Sequence, residues 1–299
     1  MSKQVGGVDV RNTFVIISIE FAFVVSLLSM IISSAYADSL MSSTREYGDD
    51  ELTAVRQLSD EEIILLSEGY RKPKSRFGKI QLDVPVVNQY PELPNGCEIT
   101  SATAYLNYIG IKVDKLELCD NYLPRSNRFT YSDNGRQRTG PDPYETFVGN
   151  PKKTGFGCYN TVIEKSLNDF FDDRGYKYEA IILEDLCAED LEALIRAGMP
   201  IQVWASSNMV ALQYIDSNKW TLETTGEEFC WPKNSHSLIL CGYDNERFYF
   251  SDPNNKMKIV AYRKKDFLER WEQLGKQSIV IKINDEKYEK YSKKLLTTQ

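Results

Sequence analysis

The chain has 299 residues, of which 42% are hydrophobic, enough to bury a sizeable core. Its 36 basic and 43 acidic residues give a net charge of −7, so it offers no cationic field for gathering nucleic acid. His236 is the only histidine, which removes multi-histidine metal centres and routes any imidazole chemistry near neutral pH through that residue. The six cysteines (97, 119, 158, 187, 230 and 241) contain no C-x-x-C pair. Neither a zinc ribbon nor a thioredoxin-type motif is supported, and no metal or cofactor is expected.

At the amino terminus, Thr13 to Ile32 is almost wholly apolar, interrupted by Glu20, with Lys3 and Arg11 ahead of it. Ala35-Tyr36-Ala37 before Asp38 reads as an A-x-A cleavage site. Residues 1–37 are therefore read as a signal peptide or, uncleaved, as a signal anchor spanning the bilayer. Either reading puts the rest of the chain outside the cytoplasm, secreted or at the cell surface, touching membrane only through this segment. Cysteines can pair in an oxidising compartment. With Cys97 kept free, five of the six remain and at most two disulfides can form.

Residues 38–78 read as a linker or pro-segment. Their one helix signal is the capping box Ser59-Asp60-Glu61-Glu62 before Ile63-Ile64-Leu65-Leu66. A compact domain is expected over 79–284, followed by a charged tail, 285–299. The alternation of Ile80, Leu82, Val84 and Val86 predicts a half-buried strand, and Asn88 to Gly96 is dense in turn formers. From Cys97 the spacing of Ile99, Ala102, Leu106 and Ile109 predicts a helix stopped by Gly110. Ser126 to Gly157 reads as a long loop able to wall a cleft. Helices follow at Thr161–Phe171 and Ala188–Ala197, with strands near Glu179–Leu183 and Pro200–Ala205. His236–Tyr243 and Arg247–Ser251 form a hairpin turning at Asp244-Asn245-Glu246. Strands at Met257–Tyr262 and Ser278–Ile283 flank a helix starting near Lys264. Early helices and late strands predict an α+β fold, helices packed on an antiparallel sheet.

Cys97 sits where helix N–H groups and the helix dipole favour a thiolate, and Gly96 is expected to let the chain turn and leave the sulfur uncovered. His236 opens a strand beside a loop, placed to act as base. The hairpin brings Asp252 level with residues near 238 or 236, where its carboxylate can hold the imidazole's tautomer. Gln89, eight residues before Cys97, carries an amide donor suited to a developing oxyanion.

The runs Val84-Pro85-Val86-Val87-Asn88-Gln89, Gly96-Cys97-Glu98-Ile99-Thr100-Ser101 and Leu106-Asn107-Tyr108-Ile109-Gly110 resemble the amino-terminal motif of the bacteriocin-processing (double-glycine leader) cysteine peptidase-like family. Pro200-Ile201-Gln202-Val203-Trp204, the strand from His236 to Asp244, and Phe248 to Pro253 resemble its second half. Phe147 to Pro151 with Gly155 to Tyr159 is similar to its secreted, stand-alone members. The resemblance implies a papain-like cysteine peptidase fold, with the nucleophile helix packed on the sheet. It implies Cys97 as nucleophile, His236 as base and then acid, Asp252 as its orienter and Gln89 in the oxyanion hole. The implied partner is a peptide or protein substrate. The chain lacks a G-x-x-x-x-G-K-[ST] loop, unlike the transporter-linked members, and it lacks the G-x-S-x-G elbow of a serine hydrolase. Peptide hydrolysis stands beside two alternatives: acyl transfer or cell-wall amidopeptidase chemistry on the same apparatus, and a silent cell-surface binding module.

Overall fold

The computed structural model describes residues 57–284 apart from 133, 134, 136, 256 and 257. The expected signal segment, 1–37, and the tail, 285–299, lie outside the described residues. The chain runs α1 (Asp60–Leu66), β1 (Ile80–Gln81), α2 (Cys97–Tyr108), α3 (Lys115–Tyr122), β2 (Arg125–Ser126), β3 (Thr130–Tyr131), β4 (Arg138–Gly140), β5 (Phe147–Gly149) and β6 (Gly155–Gly157). It continues with α4 (Asn160–Arg174), β7 (Tyr178–Ile182), α5 (Ala188–Ala197), β8 (Ile201–Ser206), β9 (Lys219–Leu222) and β10 (Glu228–Cys230). Last come β11 (Ser235–Tyr243), β12 (Arg247–Ser251), β13 (Ile259–Arg263), α6 (Lys264–Gln273) and β14 (Ser278–Ile283).

The main sheet has the order β13-β12-β11-β8-β14-β7, with β1 added at one end of β11, and all its pairings are antiparallel. The expected α+β layout is thus present. Strand β8 is buried throughout, and β11 is buried from His236 to Cys241 and at Gly242; their near-continuous apolar sequence suits strands covered on both faces. Helix α2 supplies part of that cover. Every residue from Cys97 to Leu106 is buried, so this helix has no solvent face. Helix α6 covers another part of the sheet through Phe267, whose ring meets Phe248 and Phe250 edge-on or tilted and stacks on Trp271.

Three predicted features differ. The strand expected over residues 80–86 pairs only at Ile80 and Gln81, opposite Tyr243 and Gly242. Leu82 and Val84 keep the predicted inward alternation, but Pro85 has no N–H for a ladder, and its carbonyl accepts instead from Ser251 Oγ at 2.8 Å. The stretch read as a loop from 126 to 157 holds β3 to β6 in two small sheets, β10-β9-β4-β3 and β2-β5-β6. Packing onto the domain also begins before residue 79. The Leu58 N–H donates to Asp190 Oδ1 at 2.8 Å and the Tyr70 hydroxyl to the Ile281 carbonyl at 2.5 Å, while Ile63 and Leu66 of α1 pack against the core. The capping box at Ser59 and Glu62 forms as predicted.

All six cysteines are free thiols. The fold therefore relies on its apolar core, and truncating a fully buried ring should cost about 3–5 kcal/mol. Phe267→Ala is expected to lower the stability measured by urea unfolding by that amount; an unchanged midpoint would place Phe267 outside the cooperative core.

Candidate active site

Cys97 is the first residue of α2. Gly96 before it has φ −112°, open to any residue. Glycine is needed there for space: a Cβ would stand 2.9 Å from Leu93 Cβ and 3.3 Å from Pro151 Cβ. The sulfur is not left uncovered as expected, since Cys97 is only 9% exposed. The expected thiolate is corrected as well. Burial, followed by the neighbouring Glu98 carboxylate, pushes the thiol well above its ordinary range, and the Ser237 backbone N–H, the main opposing influence, does not offset them. The neutral thiol is therefore the favoured resting form of Cys97.

Glu98 is the residue that the sequence reading passed over. It is 2% exposed; its Oε2 accepts from Cys97 Sγ at 3.3 Å and its Oε1 from the Cys158 N–H at 3.1 Å. Burial raises its carboxyl to about 7, against backbone hydrogen bonds, the Cys97 contact and the His236 ring, which all favour its charge. Gly157 makes room for it. With φ +146°, a Cβ there would lie 2.3 Å from Glu98 Oε1 and 2.6 Å from the Trp231 ring. A sequence signal existed: Glu98 is the one charge in a helix whose other residues are apolar, small or uncharged, and a helix without a polar face must bury whatever charge it carries.

His236 and Asp252 meet across the hairpin. His236 pairs with Ala205 of β8, and Asp252 follows β12, whose register puts Ser251 opposite Ile239 after a bulge between Leu240 and Gly242. The His236 Nε2 to Asp252 Oδ1 distance is 2.7 Å, with both side chains nearly fully buried. Beside a carboxylate, Nε2 carries the ring proton, which leaves Nδ1 as the basic nitrogen. Burial pushes the Asp252 carboxyl up, but the His236 hydrogen bond and charge and the Asn254 N–H outweigh it, and the group lies below its ordinary value. The Cys97 sulfur is hydrogen-bonded to Glu98 rather than to the imidazole, and the backbone of Ser237, next to His236, favours its charged form. The Asp252 charge reaches Cys97 and the His236 ring reaches Glu98, so the four side chains form one electrostatic cluster.

Gln89 is buried beside this group. Its N–H donates to the Pro253 carbonyl at 2.9 Å, next to Asp252, and its side-chain Nε2 to the Pro94 carbonyl at 2.8 Å. Its Oε1 is buried without a hydrogen-bond partner. One of the two amide hydrogens is thus committed to the loop and the other is not.

The sequence profile of the peptidase C39-like family matches residues 81–279. The chain belongs to the peptidase C39-like family. It is 30% identical over 213 residues to the uncharacterized protein YvpB of Bacillus subtilis (strain 168), covering 67% of this chain and 75% of that one. A crystal structure described as a C39-like peptidase from Bacillus anthracis superposes with a TM-score of 0.58 at 28% identity, covering 68% of this chain and 96% of that one. The papain-like arrangement implied by the sequence motifs is therefore the fold of this C39-like chain.

Glu98 gives this family member a distinctive pH dependence. A carboxyl at about 7 when folded and near 4.3 when unfolded binds more protons in the folded state between those values. Stability must therefore fall as pH rises through that window, by on the order of 3 kcal/mol. Denaturant unfolding at pH 5 and pH 8 is expected to show this loss in the parent and not in Glu98→Gln. Equal pH slopes in the two proteins would mean that Glu98 is not held protonated.

Proposed function

We propose that this C39-like chain is an exported cysteine peptidase that hydrolyses peptide bonds through Cys97, His236 and Asp252, with Gln89 as an oxyanion donor. The observation that carries the reading is the buried 2.7 Å contact between His236 Nε2 and Asp252 Oδ1, in one cluster with a helix-terminal thiol. That contact assigns the proton to Nε2 and keeps Nδ1 basic. Because the resting thiol is neutral, its proton moves to Nδ1 as sulfur attacks the substrate carbonyl. The new S–C bond pushes charge onto the carbonyl oxygen, for which the Cys97 backbone N–H and the uncommitted Gln89 amide hydrogen are candidate donors. The imidazolium, stabilised by Asp252, then protonates the leaving amine as the C–N bond breaks. Water, deprotonated at Nδ1, attacks the thioester, releases the acid and restores the thiol.

Glu98 sets the resting state. Its carboxylate oxygen accepts the thiol proton and its charge disfavours a thiolate, which limits adventitious alkylation until a substrate draws the sulfur into reaction.

Incubating the purified chain with a complex peptide library and reading new termini by mass spectrometry tests the chemistry. Cleavage is expected from the parent, none from Cys97→Ala, and a loss of roughly a thousandfold or more from His236→Ala. In parallel, iodoacetamide labelling of Cys97 at pH 7 should slow in His236→Ala and quicken in Glu98→Gln. Cleavage that survives Cys97→Ala would end the nucleophile assignment, and a parent that labels but cleaves nothing would favour a binding module.

Export rests on the apolar run Thr13 to Ile32 and the Ala35-Tyr36-Ala37 site. Material recovered outside the cell is expected to have an intact mass beginning at Asp38. A membrane-bound chain retaining residues 1–37 would make the segment an anchor, and a cytoplasmic chain would reject export.

A further inference from the structure

The strap between α1 and β1 is unlike the rest of this acidic chain. Arg71, Lys72, Lys74, Arg76 and Lys79 fall within nine residues that contain no acid, in a molecule of net charge −7. Arg71, Lys72, Lys74 and Arg76 are exposed, and among the described residues none of the four has an ion-pair partner. Its backbone is nonetheless fixed. At one end Arg71 lies so close to Gly198 that a Cβ on that glycine would stand 2.5 Å from the Arg71 carbonyl oxygen. At the other, Arg76 and Lys79 exchange backbone hydrogen bonds of 2.9 and 3.0 Å, and Lys79 Nζ sits over the Tyr249 ring at 3.7 Å. The two residues at the tip of this hairpin are Phe77 (φ 52°) and Gly78 (φ 75°).

Phe77 is the anomaly. A two-residue turn with both φ values positive favours Asn-Gly or Asp-Gly, and a bulky residue there is strained. Phe77 pays that strain for no packing: its relative exposure is 108%. A fully exposed ring at a rigid tip, flanked by unpaired cations, is poorly suited to water and well suited to a lipid interface. There an aromatic ring enters the headgroup region while Lys and Arg meet anionic headgroups. Cations within a Debye length of the surface, about 8 Å, decide this attraction; Asp83 lines the cavity beside the strap and Glu68 one beside Lys72, whereas the tip from Lys74 to Lys79 carries only cations.

We propose that the 71–79 strap docks this protein on an anionic lipid surface, with Phe77 entering the headgroup layer. A soluble polyanion would match the cations and leave Phe77 without a role. The strap leads into β1, which pairs with the Gly242–Tyr243 end of β11, whereas His236 stands near the opposite end. At ~3.3 Å per residue the β1 end of that strand is held roughly 20 Å from His236, and the docking tip precedes β1. Seated this way, the domain keeps its reactive end off the membrane. This contact is additional to any made by residues 1–37, and it does not depend on the peptidase reading.

The test must see the strap itself, since the N-terminal segment can also bind lipid. All four tryptophans, Trp204, Trp220, Trp231 and Trp271, are buried, so Phe77→Trp in the full chain adds the single exposed indole. With vesicles of brominated phosphatidylglycerol mixed into phosphatidylcholine, its emission is expected to be quenched, and brominated phosphatidylcholine alone should leave it bright. Replacing Arg71, Lys72, Lys74 and Arg76 with Glu in that protein should weaken the lipid dependence of quenching roughly a hundredfold or more, with an unchanged thermal melt and unchanged iodoacetamide labelling of Cys97. Absence of quenching on the anionic vesicles would overturn the proposal, as would quenching that ignores the four charge reversals. Inorganic polyphosphate binding the parent and Phe77→Ser equally well, with no lipid quenching, would reassign the strap to soluble polyanions.

Discussion

The side chain of Gln202 determines where the two halves of the site meet. From the fully buried strand β8, its Nε2 donates to the Glu98 backbone carbonyl at 2.9 Å and to Ser237 Oγ at 3.1 Å. Ser237 Oγ in turn donates to the Val203 carbonyl at 3.2 Å, and Ser101 Oγ of α2 to the Ser237 carbonyl at 3.0 Å. A helix and two strands are thereby joined by polar groups with no access to water. Such bonds are costly to leave unmade, so the first turn of α2 has little freedom to slide along β11. The residues so fixed are the neighbours of Cys97 and His236. Their mutual placement is a property of the core rather than of a surface loop.

That placement also explains the thiol. A helix N-terminus favours a thiolate when solvent or a cation shares the work. Here the terminus is sunk into the core beside a second acid, and desolvation dominates. Glu98 is stabilised in place by the Cys158 N–H and by the absence of a side chain at Gly157, so the carboxylate is built into the site rather than trapped by accident. The site sets an imidazole held by Asp252 near a thiol whose neutral form is favoured first by burial and then by Glu98.

Much of this was legible from residue order. The helix that begins at Cys97 and its stop, the α5 helix ended at Gly198, the paired strands β11 and β12, and the approach of Asp252 to His236 all follow from periodicity and turn chemistry, because each is a local decision whose apolar pattern agrees with its final packing. Strand β1 was overread, since alternation reports burial and says nothing of whether Pro85 can join a ladder. The small sheets were missed because strands of two or three residues have no measurable period, and because β4 pairs in parallel with β9 across a long stretch of chain. Glu98 escaped for a different reason: an acid in a first helical turn ordinarily faces solvent and complements the dipole, and only the burial of the whole helix turns it into part of the site.

The absence of crosslinks among the six cysteines has a practical consequence. In a domain held by disulfides, the reductant that keeps a catalytic sulfur usable also loosens the scaffold. Here the two are uncoupled. Sheet and helices are held by apolar contact and buried hydrogen bonds, so a reductant breaks no crosslink on which the fold depends.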